Sequence, residues 1–127
     1  MNVISSAVRF TVLDPAASSD FFGTYLGYRE SAATDDVIYL DRDDDAAEIV
    51  LERLVAEAAP VAAGHPVGAS VCFTVTDIAA AYHRLRGAGA PITHANIGRS
   101  QGTRRVVLAD PNGIVVHLIE WCPPSGA

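Results

Sequence analysis

The sequence predicts an α+β fold in which one small unit is used twice, and three observations carry that expectation. Phe10-Thr11-Val12-Leu13-Asp14 returns as Phe73-Thr74-Val75-Thr76-Asp77 at an offset of 63 residues, about half of the 127-residue chain. In both copies a β-branched apolar run meets an Asp, and a helix-like stretch follows that ends at glycine, Gly27 in the first and Gly87 with Gly89 in the second. Short apolar runs bounded by turn residues come next, so each copy reads as strand, helix, then two or three strands.

The elements follow in order. Residues Ala7 to Val12 form a strand, and Asp14 with Pro15 supplies an N-cap and a preset first helical turn. Ala17, Phe21 and Tyr25, with Phe22 and Leu26 beside them, give the helix an apolar stripe before Gly27 stops it. Val37 to Leu40 and Glu48 to Glu52 read as two strands joined by the acidic run Asp41 to Asp45, which lacks the alternating ligands and glycine of a calcium loop. Leu54 to Pro66, rich in Ala, Pro and Gly, is expected to link the copies. The second copy opens with a strand over Ser70 to Val75, Asp77 as N-cap, and a helix striped by Ile78, Ala81, Tyr82 and Leu85. Strands around Pro91 to Thr93, Arg104 to Ala109 and Ile114 to Trp121 close it, the last two flanking the turn Asp110-Pro111-Asn112-Gly113. The stretch His94 to Gly102 is too polar and glycine-rich for a core strand and reads as a mobile loop.

Composition narrows the function. Half of the residues are apolar, which suits a single domain spanning 1–127, with module 1 at about 5–58 and module 2 at about 67–122. A net charge of −6 and a pI near 5 argue against nucleic-acid and membrane-surface partners, which demand clustered cations; all nine basic residues are arginines. Met1 to Ser6 lacks the basic start and long apolar run of a signal peptide, so the expected location is cytoplasmic. Cys72 and Cys122 have no metal-type spacing and are expected to stay unpaired thiols.

These residues resemble the vicinal oxygen chelate superfamily, which groups glyoxalase I, extradiol dioxygenases and bleomycin-resistance proteins. The carriers are Phe10 to Asp14, Phe21-Phe22-Gly23-Thr24-Tyr25-Leu26-Gly27, Phe73 to Asp77, and Gly102-Thr103-Arg104-Arg105 leading to Asp110-Pro111-Asn112-Gly113. The resemblance implies two βαβββ modules in tandem, forming a curved mixed sheet around a cleft, usually within a homodimer. Metal-dependent members hold a divalent ion with His, Glu or Gln on the first and last strands of each module. The family's spacing puts those positions at Ala7, Ser70, Val50 (or Glu52 if the register differs by two) and His117. His117 alone of the first set is a competent donor, whereas a tightly held catalytic ion needs three. No cofactor is therefore expected. His65, His83 and His94 are assigned to the linker, a helix flank and a loop, away from the face of His117.

Strand alternation assigns the remaining candidates. If Val8, Phe10 and Val12 pack on the helix, then Ala7, Arg9 and Thr11 face the cleft, and likewise Ser70, Cys72 and Thr74 in the second copy. An inward Arg9 needs a counter-ion, either Glu48 or Glu52 or an anionic ligand. His117 shares its face with Val115, Ile119 and Trp121, and Tyr39 adds a second aromatic wall. Trp121 suits a pocket or a dimer interface equally. Arg99, Arg104 and Arg105 are either solubilising surface groups or anchors for an anion. The candidate ligand-binding residues are thus Arg9, Tyr39, Glu52, Cys72, Thr74, Arg104, His117 and Trp121.

The leading expectation is a metal-independent protein of the bleomycin-resistance kind, sequestering a drug or aromatic metabolite in a dimer cleft. One alternative is an enzyme of the same fold, using Glu52 and His117 as unusual metal ligands, or His117 as general base with Arg9 stabilising an oxyanion. Another is an interaction module whose cleft has no ligand.

Overall fold

The computed structural model describes residues 1–54, 69–98 and 104–121. The linker beyond Leu54, with His65, and also Arg99 and Cys122 lie outside the described residues. The first repeat comprises β1 (Ala7–Val12), α1 (Pro15–Leu26), β2 (Arg29–Ala33), β3 (Val37–Asp41) and β4 (Glu48–Arg53). The second comprises β5 (Ser70–Val75), α2 (Ile78–Gly87), β6 (Ile92–Asn96), β7 (Arg105–Ala109) and β8 (Val115–Glu120). Each repeat builds its own four-stranded mixed sheet, ordered β1-β4-β3-β2 and β5-β8-β7-β6. The expected pair of βαβββ modules is therefore what the chain forms. By contacts the chain divides into Met1–Ala69 with Pro111–Gly113, and Ser70–Asp110 with Ile114–Ala127.

Within the first unit, β1 runs parallel to β4 with Phe10 beside Leu51, and β4, β3 and β2 are antiparallel in turn. Asp14 caps α1 by accepting from the Ala17 amide at 3.2 Å, and Gly27 ends the helix at φ 72°, a conformation glycine adopts without a Cβ penalty. The helix-side core joins Phe10, Val12, Leu40, Ile49 and Leu51 of the sheet to Phe21, Phe22 and Leu26 of α1, all buried. Phe22 meets the ring of Tyr28 edge to face at 5.6 Å, a favoured aromatic geometry.

The second unit repeats this register, with Phe73 beside Leu118 across parallel β5 and β8. Asp77 caps α2 through the Ala80 amide at 3.0 Å. The core here is aliphatic, built from Ile78, Leu85, Val106, Leu108, Ile114, Val116 and Leu118. Gly113 takes φ 89° in the expected turn, where the buried Asp110 carboxylate accepts from the Ile114 amide at 2.9 Å.

Two elements differ from the sequence reading. Arg29–Ala33 is a full strand, although all five residues are exposed and none signals a buried face. Strand β6 continues through His94 to Asn96, so His94 sits in a strand rather than a loop. Both strands stand last in their sheets, where pairing on one side tolerates polar sequence.

Candidate functional site

Each sheet has a face turned away from its helix, and the candidate residues are distributed over these two faces. In the first sheet, strand register sets Arg9, Val50 and Tyr39 side by side, with Glu48 and Glu52 two residues either way along β4. Arg9 finds its counter-ion within the sheet: its guanidinium is 3.2 Å from the Glu52 carboxylate, both side chains being about half exposed. Of the partners open to Arg9, Glu52 is the one used. Val50 pairs with Arg9 across β1 and β4, so the register places an apolar side chain at that point of β4.

Beside this pair the sheet is hollowed. Ser31, Ala32, Tyr39, Glu48 and Val50 line a cavity of about 230 Å³. The Ser31 hydroxyl donates to the Tyr39 carbonyl at 3.3 Å, fixing the floor, and the Tyr39 side chain is 38% exposed. The strand end that carries Glu48 is tied down from behind, since the buried Tyr28 hydroxyl donates to the Ala47 carbonyl at 2.7 Å. Burial pushes the Tyr28 phenol up to about 12, with Arg42 opposing the shift and Asp44 adding to it. Arg42 lies over the Tyr28 ring at 5.8 Å, donates to the Leu26 carbonyl at the end of α1, and holds the Asp44 carboxyl down to about 2. The Tyr28–Ala47 and Arg42–Leu26 bonds span 19 and 16 residues, beyond the reach of a short sequence window, whereas Arg42 and Asp44 are near neighbours.

The second sheet presents a different chemistry. Cys72, His117, Val107 and His94 form one row across β5, β8, β7 and β6. His94 thus shares the face of His117, contrary to the expectation that kept all other histidines off it. Cys72 is exposed and His117 half-buried, with Thr74 and Ile119 as the next pair along the parallel strands. Arg104 is occupied: it donates to the Glu120 carboxylate at 2.7 Å and to the Ile97 carbonyl at 3.1 Å. Glu120 also accepts from the Ile78 amide at 3.1 Å, capping α2 from a strand 42 residues away. Trp121, just past β8, is 54% exposed, and its amide donates to Val75 at 2.7 Å.

Metal-binding capacity follows from the donors. Among the described residues no group of three His, Cys, Asp or Glu side chains is placed to hold one ion. Of the positions that the spacing picks out, Ala7 and Ser70 lie on exposed strand faces and Val50 is buried, and Glu52 is engaged with Arg9. Among the described residues, these donors do not make up the set of three that a tightly held catalytic ion needs.

The model of the Glyoxalase/Bleomycin resistance protein/Dioxygenase superfamily matches residues 5–118. The chain belongs to this superfamily. No curated protein sequence matches it. Among solved structures, a glyoxalase/bleomycin resistance protein/dioxygenase from Nocardioides superposes with a TM-score of 0.76 at 21% identity, covering 100% of this chain and 87% of the other. TnmS3, an antibiotic binding protein from Streptomyces sp. CB03234, gives 0.72 at 16% identity, covering 95% and 98%. Lactoylglutathione lyase from Agrobacterium tumefaciens gives 0.68 at 17% identity, covering 94% of each chain. A binder and a lyase of the superfamily are thus alike in backbone, and at these identities the likeness speaks to fold alone. What separates such members must be sought in side chains.

Proposed function

We propose that this superfamily member binds a small organic molecule without a metal ion, in the manner of an antibiotic- or metabolite-sequestering protein. The observation that supports this most is the donor set: Ala7, Ser70 and Val50 stand where a metal-dependent member needs His, Glu or Gln, leaving His117 alone. The two faces that remain offer aromatic, apolar and small polar surface, with Tyr39 and Val50 on one and Cys72, Thr74 and His117 on the other. That mixture suits an organic ligand held by apolar contact and a few polar groups. His117 serves as a hydrogen-bonding group to the ligand. The protein acts as a homodimer, as the resemblance to bleomycin-resistance proteins implies.

The test is a calorimetric titration of chelator-treated protein against a panel of aromatic natural products. Binding that persists in chelator, without turnover of the bound compound, is the expected result. Absence of binding across the panel, together with turnover of a substrate once a divalent ion is added, would replace this reading with an enzymatic one.

A further inference from the structure

We infer that the hollow of the first sheet selects a ligand carrying a cationic ammonium group, an inference that rests on the small-molecule-binding function proposed above and names the charge of what is bound. The argument starts from charge accounting on the face. An anionic ligand is what a free Arg9 would attract, but the Arg9 guanidinium is already within 3.2 Å of Glu52 and does not line the hollow. Arg29 bonds to Asp41 and to Asp43, and Arg42 is paired with Asp44. Glu48 does line the hollow, and among the described residues it takes part in no ion pair. Continuing the register of β3 and β4 by one step beyond Leu40 and Ile49 brings Glu48 beside Asp41, and since Arg29 is shared between Asp41 and Asp43, carboxylates outnumber the cation here and the local charge is negative.

The other walls complete a cation site. Tyr39 lines the hollow and is partly exposed, and an aromatic ring there can draw an ammonium through its quadrupole. Val50 and Ala32 provide an apolar surface for the body of the ligand. A volume of about 230 Å³ accommodates one ring with a short amine arm and leaves the rest of a larger ligand outside. The whole-protein charge of −6 adds long-range attraction for a cation.

The experiment uses the full chain and three probes of one shape: phenethylammonium, the neutral 2-phenylethanol and the anionic 3-phenylpropionate. Amide chemical-shift changes are followed at Ser31, Ala32, Tyr39 and Val50. Phenethylammonium is expected to move these signals saturably, 3-phenylpropionate to leave them in place, and Glu48→Gln to weaken the ammonium probe about tenfold, the scale of a lost charge-assisted contact. Tyr39→Leu is expected to weaken the same probe and spare the neutral one's residual contacts. An unchanged amide spectrum elsewhere confirms that each variant is folded. Equal binding of all three probes at these residues would overturn the charge inference and leave sequestration standing. No response to any probe there would overturn the hollow as a site, while the natural-product panel decides the broader function independently.

Discussion

The two modules are built on the same backbone and differ in what they put on it. Phe10 beside Leu51 in one sheet and Phe73 beside Leu118 in the other mark the same parallel pairing, and Asp14 and Asp77 cap the two helices in the same way. Yet the first module packs aromatic rings and lays Arg9, Glu48 and Glu52 on its helix-distal face, whereas the second packs aliphatic chains and lays Cys72 and His117 there. The repeated residues set strand, cap and register, which are local requirements. The positions at which the repeats diverge carry the chemistry, so duplication supplies a scaffold whose two faces can be specialised separately.

The comparison can be tested first through the cores. Phe22→Ala should destabilise by about 3–5 kcal/mol and Leu85→Ala by about 2–5 kcal/mol, since both side chains are fully buried. Urea unfolding would measure both; a Phe22→Ala cost below about 3 kcal/mol would contradict the view that the first core depends on its rings. The helix starts come next. Glu120→Gln should cost about 1–3 kcal/mol by leaving half-buried Arg104 without its carboxylate and weakening the cap on α2. Asn112→Ala should cost about 1–2 kcal/mol, because Asn112 accepts from the Asp14 amide at 3.1 Å and donates to the Asp14 carbonyl and the Ser18 hydroxyl at 2.7 Å each.

Charged pairs on the first face should matter least to stability. Arg9→Ala is expected to change it by about 0–1 kcal/mol, as for other half-exposed ion pairs; a larger loss would mean that Arg9 does more than neutralise Glu52. Acid should act through Asp44. Its carboxyl titrates at about 2 in the folded protein against an ordinary 3.8, so the folded state holds that proton less tightly. The resulting stabilisation is complete above about pH 4 and is lost as pH falls towards 2. The melting temperature of Asp44→Asn should therefore fall less steeply over that window than that of the parent protein, and parallel curves would contradict the assignment.

Much of this was readable from the chain because it is local. A cap needs one side chain and an amide three residues on, and alternation alone put Arg9, Cys72 and Thr74 on the helix-distal faces. Edge strands were harder: Arg29–Ala33 and the end of β6 carry polar, exposed residues without the apolar alternation that marks a buried face. The partner of Arg9 was narrowed to candidates and then decided by the register of β4 against β1, which no short window contains. Long-range supports were invisible. Asn112 reads as a turn residue, and its bonds to a helix start 98 positions earlier exist only once the chain has folded. Glu48 reads from the sequence as a candidate partner of Arg9, and its place beside a cavity is seen only in the folded sheet.

The measurement that bears most directly on the central claim is elemental analysis of protein purified without chelator, with His117→Ala run beside it. Metal-independent binding predicts substoichiometric zinc, nickel, iron and manganese in both samples. A near-stoichiometric divalent ion that disappears on the substitution would contradict it and make His117 a metal ligand.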